Sequence, residues 1–162
     1  RDDVESRGLG DVYKRQDFER IFLLDKKNRY VGAKIRTGSF TSTDIELQSV
    51  EMDGSLTQTP EFPYNWMYDG SRPQMPGFEM EITCKSLFLI FKDSGEMDVG
   101  KADVFVNDVY CMTADPHKNN WLHCNAVLLF WETESRSHKV RITVTEEDQN
   151  KKFTILGFGY TI

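Results

Sequence analysis

One stretch decides the fold, Phe78-Glu-Met-Glu-Ile-Thr-Cys-Lys-Ser-Leu-Phe-Leu-Ile-Phe91. In its first half the apolar residues Phe78, Met80 and Ile82 alternate with polar ones, which is the period of a β-strand with one face in water. Its second half, Leu87–Phe91, is apolar at every position and predicts a central strand that is covered on both faces. The two halves therefore predict two strands of a packed sheet.

The rest of the chain repeats these two patterns. Asn107-Asp108 predicts a hairpin turn between two of the strands, and Gly157 and Gly159 at strand positions predict a close approach of another backbone. Eight to ten short strands without a predicted helix indicate an all-β fold, a jelly-roll-like (galactose-binding-like) β-sandwich. Besides the two halves of the opening stretch, strands are predicted at Arg20–Leu24, Tyr30–Ile35, Ile45–Met52, Ala102–Asn107, Val109–Met112, Ala126–Trp131, Val140–Val144 and Phe153–Tyr160.

Size and charge limit the classes of function. The chain has 162 residues, which suits one domain, placed at 17–162. The net charge of −6 gives an acidic surface that repels phosphate backbones, so no nucleic-acid partner is expected. No apolar run approaches the ~20 residues that span a bilayer, so no membrane partner is expected either.

Residues 1–16 do not share the strand patterns. They are polar and lack periodicity, and Ser6–Gln16 resembles a translated sequencing adapter. This segment is therefore expected to be an artefactual or disordered leader, and it is excluded from the fold. The same resemblance implies that the gene is truncated at its 5′ end and that an upstream domain is missing.

Two loops carry the candidate binding residues. The first, Asp53–Gly77, holds four of the five prolines and is predicted not to be a central strand; the second is Asp115–Asn120. Flat aromatic rings can cover the apolar faces of a sugar while nearby polar groups bind its hydroxyls. The alternative is that the aromatic residues close the end of the sandwich or dock on a catalytic domain. The predicted ligand-binding residues are Tyr64, Asn65, Trp66, Tyr68, Asp115, His117, Asn120, Trp121, His123 and Asn125.

The cysteines favour neither disulfides nor zinc. The odd set Cys84, Cys111 and Cys124 argues against a disulfide framework and predicts buried free thiols in a reducing compartment such as the cytoplasm. Cys111, His117, His123 and Cys124 lack the paired spacing of zinc sites, and adjacent strand residues point to opposite faces. No metal and no cofactor are predicted, although calcium held by loop carboxylates stays open.

Five segments in order resemble one known module. Over Phe40–Ile162 the chain is similar to the non-catalytic β-sandwich module at the C-terminal side of the esterase domain in bacterial SGNH/GDSL-type hydrolases. The resemblance implies a parent enzyme that cleaves esters, with acyl groups on carbohydrate as substrates, and a catalytic domain of the same protein as partner. The segments are Lys85–Asp93, Gly100–Asn107, Asp115–His117, Trp121–Val127 and Phe153–Tyr160.

The catalytic motifs of that family are not recognisable here. Its nucleophile lies in a Gly-Asp-Ser motif, whereas Gly10-Asp11 is followed by Val12, and no histidine has an aspartate three positions before it. No catalytic residue is therefore predicted, and the expected role is accessory: carbohydrate binding or shaping of the parent's active-site cleft. Two alternatives are a loop residue such as His117 or His123 that completes the parent's esterase site, and a free-standing structural or adhesion module.

Overall fold

The computed structural model describes residues 20–46, 48–50, 56–60, 62–118 and 124–162. Within these ranges a 3-10 turn at Glu146–Asp148 is the only helical segment, and no helix is long and apolar enough to cross a membrane. The all-β prediction is thus confirmed. The strands are β1 (Phe22–Leu24), β2 (Ala33–Arg36), β3 (Gln48–Val50), β4 (Leu56–Pro60), β5 (Trp66–Tyr68), β6 (Phe78–Lys92), β7 (Ala102–Val106), β8 (Val109–Ala114), β9 (Cys124–Val144) and β10 (Phe153–Thr161).

Two long strands belong to both layers of a β-sandwich. In the first layer the first half of β6 pairs with β2 and with the second half of β9, which continues to β7 and β8. In the second layer the second half of β6 pairs with β10 and with the first half of β9, and β10 also pairs with β1 and β5. All of these pairings are antiparallel. The predicted sandwich is confirmed.

A bulge joins the two halves of β6. The register with β9 shifts between Cys84 and Ser86, and such an extra residue bends a strand and changes which side chains face inward. Met80 and Ile82 point to the core before the bulge, and Leu87 and Leu89 do so after it. The two strands predicted from the opening stretch are therefore one bent strand of 15 residues. The two strands predicted at 126–131 and 140–144 are likewise joined, in β9.

Aromatic side chains fill the space between the layers. Phe78 of the first layer stacks on Phe158 of the second, with ring centroids 5.6 Å apart. Phe40 meets the edge of Phe78 at 6.1 Å and the edge of Phe153 at 6.4 Å. Each such side chain contributes about 1.5–3 kcal/mol through removal of its apolar surface from water.

The loop predicted at Asp53–Gly77 is wrong in part, because β4 and β5 lie within it. Pro60 ends β4, which among the described residues pairs with β3 alone in a separate two-stranded sheet. Proline is tolerated there because both strands of a two-stranded sheet are edges. β5 adds its backbone to β10, with Trp66 opposite Ile155. The prolines therefore exclude a central strand, as expected, but not short edge strands.

Smaller sequence predictions have mixed outcomes. The hairpin is confirmed: β7 and β8 are joined by Asn107 and Asp108, whose φ angles of 53° and 66° are those of a type I′ turn. At Gly157 a Cβ atom would lie 3.0 Å from the carbonyl oxygen of Leu24, which confirms the close approach. The prediction of buried thiols is wrong for Cys111, which is exposed because β8 leaves most of one face in water.

Candidate functional site

The first loop was predicted to present an aromatic platform, Tyr64, Trp66 and Tyr68, but two of these residues lie in the core. Trp66 is 3% exposed and its ring lies 5.2 Å from that of Phe78. Tyr68 is equally buried, and its hydroxyl donates a hydrogen bond of 2.6 Å to the carbonyl oxygen of Gln149. Both side chains point inward because β5 pairs with β10 in the second layer. They close the sandwich, as the alternative interpretation expected, and offer no exposed ring to a sugar.

Asn65 is a structural residue rather than an exposed ligand group. Its side chain is fully buried and donates hydrogen bonds of 2.9 Å to the carbonyl oxygens of Asp44 and Phe62. Its amide oxygen accepts a bond of 2.8 Å from the backbone N–H of Asp44. Asn65 therefore ties the segment before β5 to the segment after β2.

Tyr64 keeps an exposed ring. It is 40% exposed, and the ammonium group of Lys27 lies 5.2 Å from its ring centroid. The backbone N–H of Lys26 also donates to the carbonyl oxygen of Tyr64 at 3.1 Å. Of the three platform residues in the first loop, only Tyr64 stays accessible.

Of the binding residues predicted from Asp115 onward, the structure brings three to one end of the sandwich. Asp115 accepts a hydrogen bond of 3.0 Å from the backbone N–H of His117, whose Nε2 lies 2.8 Å from the carbonyl oxygen of Glu96. Asn125 lies near the start of β9, opposite Phe91 at the end of β6. Asn120, Trp121 and His123 fall outside the described residues, so their part in this group stays a prediction.

A buried ion pair lies beside this end and was not predicted from the sequence. Asp44 is 6% exposed, and its Oδ2 accepts bonds from Lys92 Nζ at 3.0 Å and from the Thr154 hydroxyl at 2.7 Å. Burial acts to raise the pKa of Asp44, but the bonds from the Glu46 N–H, Thr154 and Lys92 outweigh it and hold the pKa below its usual range. The pair lines a cavity of about 80 Å³. No local sequence pattern predicts this site, because Lys92 and Thr154 lie 48 and 110 residues from Asp44 in the chain.

The outward side of the second layer is apolar across four strands, although its middle is covered by this chain: Phe88 is 7% exposed and all residues of β10 are buried. Leu23 of β1 lies opposite Gly159 of β10, which lies opposite Phe88 of β6, which in turn lies opposite Leu128 of β9. Leu23 and Leu128 are 39% and 37% exposed. We call this surface the outer apolar face; it comprises Ile21, Leu23, Phe88, Ile90, Ala126, Leu128 and Trp131.

Such a surface is unusual for an isolated domain. Single exposed apolar residues are common, but a contiguous apolar patch marks an interaction site. The run Ala126–Trp131 carries the sequence signal, because it is apolar at every position like Leu87–Phe91. In the described part of the chain this half of β9 pairs with β6 alone, and the Cys111 thiol of β8 contacts the carbonyl oxygen of Leu129 at 3.8 Å.

Cys84 and Cys111 take no part in a disulfide bond. Among the residues that the structure describes, no three His, Cys, Asp or Glu side chains come together to hold a metal. Burial, with a contribution from Glu132, raises the pKa of Cys84 to about 12. Cys111 is exposed as a residue, but partial desolvation of its thiol also raises its pKa. Both groups therefore stay thiols at neutral pH, and a thiol is a poorer metal ligand than a thiolate.

Comparisons with known proteins support the fold. A two-domain esterase active on acetylated mannans matches at 12% identity and a TM-score of 0.57 over 89% of this chain. The structure of the same esterase co-crystallised with mannopentaose matches at 11% identity and a TM-score of 0.55 over 88% of this chain. A family two carbohydrate esterase from Cellvibrio japonicus matches at 12% identity and a TM-score of 0.49 over 88% of this chain. No protein-family model and no curated protein matches the sequence.

The chain spans only part of these solved structures. It covers 37% of the acetylated-mannan esterase in both of its structures and 33% of the Cellvibrio japonicus enzyme. At this identity the likeness establishes a shared β-sandwich fold.

Proposed function

We propose that this chain is the accessory β-sandwich domain of a carbohydrate esterase of the SGNH/GDSL type, and that it packs on the catalytic domain through the outer apolar face. One observation carries the proposal: four apolar side chains on the outward side of the second layer, Ile21, Leu23, Leu128 and Trp131, are 37–47% exposed. A partner that covers this face removes it from water.

The comparisons and the sequence support an esterase as the parent. The same fold occupies 37% of a two-domain esterase that is active on acetylated mannans. The order of the five resembling segments indicates the same class of enzyme. The sequence contains no Gly-Asp-Ser motif, so we assign catalysis to another domain of the parent.

The composition of the face suits an interface between domains. Phe88 and Gly159 lie buried beneath its middle, where a Cβ atom on Gly159 would come within 3.1 Å of the Ile21 side chain. The exposed residues Thr133, Glu134 and Ser135 follow it along β9, and they resemble the polar rim that surrounds an apolar interface. Covering apolar surface stabilises a contact by about 25 cal/mol per Å², and interfaces between domains bury roughly 600–1,500 Å².

Leu128→Lys should weaken the contact with the esterase domain encoded beside this chain. A lysine in the middle of the face must either lose its hydration or hold the two surfaces apart, so the dissociation constant should rise at least about tenfold. Isothermal titration of the separate domains measures this change. Met97→Lys is the matched control, because Met97 is 87% exposed and lies outside the face.

Binding of Leu128→Lys as tight as that of the native chain would contradict the proposed face. In the same preparation the native chain alone should release no acetate from acetylated mannan. Release of acetate by the pure chain would contradict the accessory role itself.

Carbohydrate binding is the second candidate function. Asp115, His117 and Asn125 come together at one end of the sandwich, and His117 is exposed there. We expect His117→Ala to reduce retardation of the chain in a mannan affinity gel, whereas Lys118→Ala, at the exposed neighbouring position, should migrate like the native chain. Equal migration of the native chain with and without mannan would exclude this polysaccharide as the ligand.

A further inference from the structure

Asp93 is a buried carboxyl group without a visible partner. It follows β6 directly and is 4% exposed. Neither of its carboxylate oxygens accepts or donates a hydrogen bond to any residue that the structure describes. Native proteins rarely leave such a group unsatisfied, because a buried charge is strongly unfavourable unless a partner compensates it.

Asp115 and Asn125, two further residues whose side-chain oxygens can ligate a metal, lie beside Asp93. The backbone N–H of Ser94 donates a bond of 3.0 Å to the carbonyl oxygen of Pro116, which holds the residue after Asp93 against the residue after Asp115. Asn125 lies opposite Phe91. Since Phe91 points into the core and opposed residues share a face, Asn125 lies on the inner side of the sheet, next to Asp93.

The electrostatics of this end call for a positive charge. Burial raises the pKa of Asp93, the nearby Asn125 side chain acts to lower it, and the negative charge of Asp115 raises it further, so that the net direction is upward. No lysine, arginine or histidine in the described part of the chain forms an ion pair with Asp93. A proton would neutralise one carboxylate, whereas a divalent cation compensates both and also takes the amide oxygen of Asn125.

We propose that Asp93, Asp115 and Asn125 bind a calcium ion at this end of the sandwich. Carboxylate and amide oxygens are the donors that Ca²⁺ takes, and its flexible coordination by six to eight oxygens allows backbone carbonyls and water to complete the shell. His117 is turned away, since its Nε2 lies 2.8 Å from the carbonyl oxygen of Glu96. The donor set therefore lacks the nitrogen and sulfur ligands that zinc prefers. This inference is independent of the proposed function.

Thermal unfolding of the whole chain tests the site. After treatment with EDTA, addition of calcium chloride should raise the Tm by about 5 °C or more, because a ligand of the folded state alone stabilises it. Asp93→Asn keeps the shape of the side chain and removes its charge. Its metal-free Tm should equal or exceed that of the native chain, and calcium should no longer shift it.

Two more variants make the result decisive. Asp108→Asn removes an exposed carboxylate in the β7–β8 hairpin, whose side chain is 69% exposed, and should keep the full calcium shift. Asp115→Asn should lose the shift, and it replaces Asp93→Asn if that variant does not fold. Two results would overturn the proposal. One is a native chain whose Tm does not change when calcium is added; the other is a full calcium shift in both Asp93→Asn and Asp115→Asn.

Discussion

Trp66→Ala should lower the free energy of unfolding by about 3–5 kcal/mol, the range for large aromatic residues in a packed core. The Trp66 ring lies 5.2 Å from Phe78 and 6.1 Å from Phe158, so it joins side chains from both layers. Alanine leaves a cavity that the paired backbone of β5 cannot close. Urea unfolding followed by circular dichroism measures the loss.

The neighbouring tyrosine provides the matched control. Tyr64 precedes Trp66 by two residues but is 40% exposed, so Tyr64→Ala should change stability by less than about 0.5 kcal/mol. Similar stability of the two variants would contradict the core role of Trp66. If a Trp66 variant lost carbohydrate retention, unfolding would therefore explain the loss, and the result would not identify Trp66 as a binding residue.

Asp44→Ala should cost about 3–5 kcal/mol, the range for removing one member of a buried ion pair. The substitution leaves the Lys92 ammonium group, 17% exposed, without its carboxylate, and it removes the acceptor of the Thr154 hydroxyl. Asp44→Asn should cost less, because an amide oxygen can still accept from Thr154 and from the backbone. Chemical denaturation of both variants measures the difference.

Acid should separate Asp44→Asn from the native chain. Because the folded state holds the pKa of Asp44 below its ordinary value of 3.8, the carboxylate stabilises the fold above that value. This stabilisation disappears as the pH falls through the folded pKa. The Tm of the native chain should therefore fall more steeply below about pH 4 than that of Asp44→Asn. Parallel curves would show that Asp44 contributes nothing to acid stability.

Local patterns were sufficient to predict the fold class. The alternation from Phe78 to Ile82 and the apolar run from Leu87 to Phe91 each report which faces are covered, and both lie on the strand as expected. The Asn107-Asp108 turn was also predictable, because its left-handed backbone is a property of those residue types. Such signals are confined to a few neighbouring residues.

Features that depend on distant partners were not predictable. Lys85-Ser86 separates two apolar segments like a turn, yet pairing with β9 makes it part of a bulged strand. The three residues of β5 become a strand because they pair with 153–155. Whether Trp66 points inward is decided by that pairing and by no pattern around it.

In the candidate sites, too, groupings of residues close in sequence were predictable and contacts between distant segments were not. The sequence predicted Asp115, His117 and Asn125 as members of one group, because two of them share a loop and the third follows soon after. Asp93 was missed as a site residue, since its proximity to Asp115 arises only from the contact between Ser94 and Pro116. The outer apolar face likewise requires the register of four strands.

From Phe88 to Lys92 the strand β6 continues without a further register shift, so it links the outer apolar face directly to the end of the sandwich. Phe88 in the outer apolar face and Asp93 at the sandwich end are five residues apart on one continuous segment, about 17 Å along an extended chain. A catalytic domain seated on that face would therefore receive the loops beside Asp93 at a preset distance and angle. This half of the sandwich would then act as a spacer of fixed length between the catalytic domain and the loops.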